Sequence, residues 1–324
     1  MAMLHYLIPS HLYLHVKWFI ADDGWISKPL TKILTPDFIF WLCITLLVLL
    51  FATIINKEIE RNIFVSKILD FLNRFNPYQL LIFRVGVGLG LMLQLCTGSY
   101  LAPTFLIDSW WVYVLLIVAI IGLFHRRLLP VSGFAIAFLY LNSALQYGLF
   151  HALDYFFYVG IIYYLFAVNN RFKVSSIRVL YTLTGISLAW LSMEKMTMPG
   201  LTQTLIYEYK LPTLGFSTEE FVLIAAFIEL ALGWVLILGI MNRFTALLLT
   251  GIFLTTTTVF GFTEVVGHWI IHTLLLMFLI EGKGAPSALY QFHQPMWLRC
   301  LFVVVNFCML LICLMALFIW IQQF

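Results

Sequence analysis

Charge is what this chain has least of. Asp, Glu, Lys and Arg together make up 10% of its 324 residues, against about 25% in a soluble domain. That scarcity excludes an ordinary soluble enzyme. The high apolar content excludes a disordered chain as well. The formal net charge is only +3 and is dispersed, so the basic footprint of a nucleic-acid binder is absent and no nucleic-acid partner is expected. Cysteine is scarce too. Cys43, Cys96, Cys300, Cys308 and Cys313 are odd in number, scattered and without a CxxC pair, which excludes a disulfide scaffold and a thiolate metal cluster. They read as small apolar fillers. The chain also lacks a Walker loop, a Gly-rich dinucleotide fingerprint and a Ser nucleophile elbow. Any energy source or catalytic module is then another chain, or the bilayer itself. No secretory signal is expected either, because the first strong hydrophobic segment, near Phe38, can itself direct insertion.

What the chain has is apolar length. Residues of the hydrophobic and aromatic types make up 63% of it, and mean hydropathy is +1.00. A span needs about 20 apolar residues. The stretches 37–56, 79–101, 109–125, 128–149, 152–169, 177–197, 219–240, 244–262, 265–281 and 298–322 meet or approach that length. The expected fold is therefore all-α, a polytopic bundle of about ten transmembrane helices in the lipid bilayer. Very short turns at 126–128 and 241–243 imply antiparallel neighbours. Residues 4–20 are interrupted by Pro9, three histidines and Lys17, and read as an interfacial helix. Residues 57–76 alternate charged and apolar positions at helical spacing and read as an amphipathic linker.

Lys and Arg are unequally divided between the loops. Lys57, Arg61, Lys67, Arg74, Arg126, Arg127, Arg171, Lys173, Arg178, Arg243, Lys283 and Arg299 follow the odd-numbered segments. Lys17, Lys28, Lys32, Lys195 and Lys210 lie on the other side. The positive-inside rule then places both termini outside, in a bacterial inner membrane.

An internal repeat is also visible. Gly122, Arg126 and His151 recur as Gly239, Arg243 and His268, each displaced by 117 residues. Two tandem four-helix units of like orientation follow. The expected division is 1–76 for an arm, a first helix and a linker, 77–170 and 171–284 for the two units, and 285–324 for a last helix.

The second unit closes its first helix with WLSMEKMTMPG, where a lysine and a proline stand together. Its second helix and turn read FIELALGWVLILGIMNRFTALLL. In these residues it resembles the DoxX-like superfamily of four-helix membrane proteins. The first unit is a degenerate copy. It has no lysine at the end of 79–101, and only apolar residues around Val112 where the glutamate would stand. Some members of that superfamily are membrane subunits of quinone-linked sulfur-oxidising enzymes, and others accompany redox or maturation systems. The resemblance implies a role of that kind and carries over no catalytic residue.

Ionisable residues within spans cost about 2.5–3.5 kcal/mol each on insertion scales and are functional suspects by default. Here they are Arg84, Asp154, Glu229, Glu264, His151, His268 and His272. Glu264, His268 and His272 are spaced four and four, so they drift only about 40° per step around a helix and share a face. Such a set could bind a metal, relay protons, hold a quinone carbonyl, or simply join helices. The HExxH of zinc hydrolases is absent. Glu229 has Gly233 one turn further on, which lets a neighbouring helix approach, and Lys195 lies at matching depth as its counter-ion. Met193, Met196 and Met198 are either copper-type thioethers or gap fillers. Arg84 is expected to snorkel or to pair with Asp70 or a lipid headgroup. Asp154 is either an acid at a helix start or the first unit's share of a polar site. The run Thr255–Thr258 is expected to bond its own helix backbone.

The leading expectation is a membrane subunit of a redox or maturation system. It would hold a quinone-like ligand near the outer face through Glu229, His268, His272 and Lys195, and dock a partner protein over loop 198–218. A small-solute or metal permease using Glu264, His268 and His272 is the alternative. An assembly protein whose polar residues only lock helices, and a self-contained intramembrane enzyme, also remain open.

Overall fold

A computed structural model describes residues 18–19, 27–61, 63–281, 290–291 and 295–322, with the side chains of 57–66 outside that description. Twelve principal helices follow one another: α1 (Pro36–Arg61), α2 (Ile63–Asn73), α3 (Gln79–Thr97), α4 (Trp110–Phe124), α5 (Leu129–Tyr147), α6 (Phe157–Ala167), α7 (Lys173–Thr197), α8 (Pro199–Glu208), α9 (Thr218–Leu238), α10 (Asn242–Phe260), α11 (Phe262–Glu281) and α12 (Met296–Ile321).

Among the described residues, eight helices are long and apolar enough to cross a membrane. Large apolar side chains on their outward faces, such as Phe51, Phe138, Leu247 and Ile312, are exposed. In water this would be an aggregating surface, and in a bilayer it is the ordinary one. The chain is an integral membrane helical bundle.

Two of the ten expected spans differ. The segment 109–125 forms α4, a helix of only 15 residues. The segment 152–169 is broken: the short turn Leu149–Ala152 and the 3-10 turn Leu153–Tyr155 meet α6 at 61°, and the pair makes a ninth span only if counted as one. The segment 79–101 ends early as well. Gly98 closes α3 in the left-handed conformation at φ 71°, where a glycine is accommodated without strain. A two-stranded antiparallel hairpin then follows, β1 (Ser99–Tyr100) and β2 (Ala102–Leu106), and it is the one departure from an all-helical chain among the described residues. Leu101 turns it at φ 61°. Gln94 at the end of α3 fastens it, accepting from the Leu101 amide and donating to the Tyr158 hydroxyl, which in turn donates to the Leu101 carbonyl. Residues 57–61 extend α1, and the rest of the expected linker contains α2.

α3, α4, α5, α6, α7, α9, α10 and α11 pack in sequence, and α11 then packs on α3 to close a ring. The second half therefore contacts the first at both ends. α1 and α12 pair with each other and lean on α9 and α7. Small residues make the two tightest seams. Gly86 and Gly90 of α3 bring Thr273 and Ile270 of α11 so close that an added methyl would collide, and the Trp269 indole donates to the Gly86 carbonyl. Gly185 of α7 and Gly233 of α9 each face the other's carbonyl with no room for a Cβ. This is the small-residue crossing typical of membrane helices.

α11 forms the interior: 67% of its apolar stretch is buried, against 22% for α1 and for α10. One end of the bundle carries the hairpin, α8 and the start of α11. The opposite, basic end carries the turns at 126–128, 169–172 and 239–241. There Arg84, expected to snorkel or to pair with Asp70 or a lipid headgroup, instead donates to the last carbonyls of α4, those of Leu123 and Phe124. It caps a helix end that would otherwise leave those groups unsatisfied in an apolar setting.

Candidate functional site

Near the hairpin end, between α6, α7, α9, α10 and α11, lies a small pocket containing buried ionisable groups. Its geometry starts at the Gly185–Gly233 crossing. Lys195 stands ten residues beyond Gly185, about 15 Å further along α7, while Glu229 stands one turn back from Gly233 on an antiparallel helix. Side chains lean toward their own helix N-terminus, so on these two helices they lean toward each other. Lys195 Nζ and Glu229 Oε2 meet at 2.9 Å, with 12% and 24% of the side chains exposed. The pair expected from sequence is present, and Glu194 and Asp154 act on the same ammonium.

A second close pair of ionisable side chains lies within α11. His268 Nδ1 is 3.1 Å from Glu264 Oε1, one turn away, and Glu264 is fully buried. The imidazole is held between two rings. Phe253 stacks on it at 4.5 Å and 18°, and Trp18 lies 5.3 Å away at 49°. Trp18 rests against the bare backbone of Gly267, and its indole N–H donates to the Tyr155 hydroxyl at 2.9 Å. Trp18, from the stretch 4–20 read as interfacial, is half-buried and packs its ring against the bundle. The rest of that stretch, apart from Phe19, lies outside the described residues.

The structure brings Lys195, Glu229 and His268 to one pocket with Asp154, offered from sequence as one unit's share of a polar site, and adds Tyr155, Thr184 and Ser187, which sequence reasoning had not joined to them. Asp154 is buried, and it stands in the first turn of the 3-10 segment Leu153–Tyr155, at a helix start and beside the pocket at once. Its carbonyl accepts from the Ser187 hydroxyl across to α7, which pins the broken α6 segment to the site. The signal in the sequence was the LDY triplet interrupting an apolar run. Trp18 had no such signal, because its partner is 137 residues away.

His272 and Glu264 do not line the pocket. His272 is half-buried one turn deeper, with its ring edge-on to Phe253 at 6.0 Å. Among the described residues, no group of three or more His, Cys, Asp or Glu is placed to hold a metal ion. The expected trio of Glu264, His268 and His272 shares a helix without forming such a group. The repeat gives this a pattern: displaced by 117 residues, His268 answers to His151 and His272 to Tyr155. The pocket takes its imidazole from the second half and its phenol from the first.

Other expectations are settled locally. The threonines of 255–258 all bond carbonyls of their own helix. Met193, Met196 and Met198 are buried among apolar side chains, and Met198 Sδ accepts from Gln322. The five cysteines are free thiols. About half of loop 198–218 is helical, as α8.

With Trp18 in place, the pocket leaves about 40 Å³ for water-sized occupants, room for roughly three waters. Chemically it offers an ammonium–carboxylate pair, a second acidic residue in Asp154, an imidazole, a phenol and the Thr184 and Ser187 hydroxyls, set among aromatic and aliphatic side chains. No family model, no curated protein and no solved structure matches the chain.

Proposed function

We propose that the protein is a membrane subunit of a redox or maturation system that holds a flat, quinone-like lipophilic ring in this pocket. The observation that carries the reading is the position of the Trp18 indole. A planar bicyclic ring already lies on Gly267, beside His268, with one polar edge atom bonded to Tyr155. A quinone ring bearing a carbonyl has the same outline, and the carbonyl would accept from the Tyr155 hydroxyl. Its second carbonyl would be directed to Lys195. The remaining 40 Å³ holds fewer heavy atoms than such a ring contains, so the ligand takes the indole's place.

The Lys195–Glu229 pair supports a working site because a charged pair within a span is costly to keep. Redox change of a quinone moves protons, and His268 and Glu229 stand beside the ring to exchange them. In this reading the two halves are tandem DoxX-like units, the hairpin end faces outward from a bacterial inner membrane, and both termini lie there. A partner protein docks over α8 and the turn after it, where Tyr207 and Leu214 are exposed beyond the spans.

The test is the quinone content of the full chain purified in mild detergent, measured by solvent extraction and mass spectrometry. Near-stoichiometric quinone in the wild type and its loss in Lys195→Ala is the expected result. Absence from both overturns the reading.

A second reading rests on the size of the space left beside Trp18. About three waters next to an ion pair and a histidine suit a proton-linked permease for a small solute. Transport into vesicles that changes through the histidine range and stops in Glu229→Gln would favour it.

A further inference from the structure

The basic end carries a second cavity, and we propose that it binds the headgroup of a phospholipid bearing both a phosphate and a primary amine. The cavity has a volume of about 260 Å³ and lies where the ends of α3, α6, α7 and α11 converge. It is separate from the pocket described above, and its lining is of mixed charge. Lys173 and Arg178, both exposed, stand at its rim on the first turns of α7. Glu281, the last residue of α11, is half-buried in its wall, where it accepts from the Gln79 amide and feels the charges of Lys173 and Arg243. The Tyr164 and Tyr181 side chains form the buried part of the lining, and Val174, exposed at the rim, leads outward with Ile177 half-buried beside it.

Each part has a counterpart in such a lipid. Two cations at a rim take a phosphate, and the guanidinium can do so through two parallel hydrogen bonds. A purely anionic headgroup would meet the Glu281 carboxylate as a like charge, whereas an ammonium would pair with it. A quaternary amine has the charge but no N–H to give. An acyl chain would then follow Val174 and Ile177 into the hydrocarbon. Basic pockets between helix ends are recurrent headgroup sites, and the carboxylate in this one selects the zwitterion.

The experiment uses the full chain, stripped of lipid in detergent and exposed separately to vesicles of phosphatidylethanolamine, phosphatidylglycerol and phosphatidylcholine, with retained lipid quantified by mass spectrometry. Phosphatidylethanolamine is expected to be retained above the other two. Lys173→Ala with Arg178→Ala should lower its retention by about fivefold or more, each rim charge being worth about one such step. Glu281→Gln keeps a hydrogen-bonding partner for Gln79 and should shift the preference toward phosphatidylglycerol. Elution volume and helix content confirm that each variant is folded. Equal retention of the three lipids overturns the proposal, as does a preference that Glu281→Gln leaves unchanged. Soluble phosphoethanolamine binding as tightly as the lipid overturns the lipid source.

Discussion

The Trp18 indole lies on the backbone of Gly267 so closely that a Cβ there would overlap its ring. The same ring donates to Tyr155 and stands beside His268, so one side chain bridges the broken α6 segment and α11. Removing it opens the pocket and also removes packing.

Trp18→Ala should therefore have two opposite effects. Thermal stability in detergent falls, by about 1–3 kcal/mol, because Trp18 is only half-buried and loses less than a fully buried tryptophan would. Occupancy by an added quinone rises, because the space of a bicyclic ring is released. A variant that loses stability and gains no quinone would show that the indole is packing alone.

The ion pair makes a separate prediction. Lys195→Ala strands the Glu229 carboxylate in a mostly apolar setting, at a cost of roughly 3 kcal/mol. The double variant Lys195→Ala, Glu229→Gln removes both charges and should recover most of that loss. Unfolding midpoints of the single and double variants, compared with wild type, measure it.

The helix crossing beneath the pair is equally exposed to test. Gly185→Ala places a methyl against the Gly233 carbonyl, and overpacking of this kind costs about 1–3 kcal/mol. It also pushes α7 from α9, so quinone retention should fall along with stability. Gly251→Ala, where nothing lies within 4 Å of an added methyl, serves as the control and should lower neither, helix propensity raising stability slightly if anything.

Much of this was legible because an apolar medium leaves few options. Lys195 and Glu229 each need a partner within a span, and on adjacent antiparallel helices their side chains lean toward each other. Gly233 signalled the close approach that brings them together. The long apolar runs marked the spanning helices, and Gly239 marked a turn, which it closes at φ 71°. What was not legible depends on contacts remote in sequence or on local breaks within apolar runs. Arg84 sits on α3 and serves the end of α4. Asp154 lies at the break between the turn 153–155 and α6, a bend invisible in hydropathy. The hairpin at 99–106 hides in a run whose only warnings are Gly98 and Pro103. Hydropathy alone could not separate a residue of the arm that rests at the membrane surface from one, Trp18, that packs its ring against the bundle.

The hairpin offers a pH test outside the spans. Tyr100 is buried, donates to Gln146 and accepts from Asn142. Burial, the largest cause, raises its phenol above the ordinary value. A group whose folded value is raised contributes stability that is complete below its unfolded value, about pH 10 for tyrosine. As pH rises above that, the unfolded chain loses the proton first and stability declines, by about 1.4 kcal/mol per pH unit for one such group. Tyr100→Phe should be less stable at neutral pH and should lose less between pH 10 and 11 than wild type. Parallel alkaline profiles would contradict this.

The most direct measurement of the central claim is photoaffinity labelling of the full chain in native membranes with an azido-quinone, followed by peptide mapping of the adducts. The account predicts adducts on residues 154–155, 184–195 or 267–271, suppressed by excess unlabelled quinone and lost in Lys195→Ala. Adducts confined to the lipid-facing surface, or unaffected by excess quinone, would contradict it.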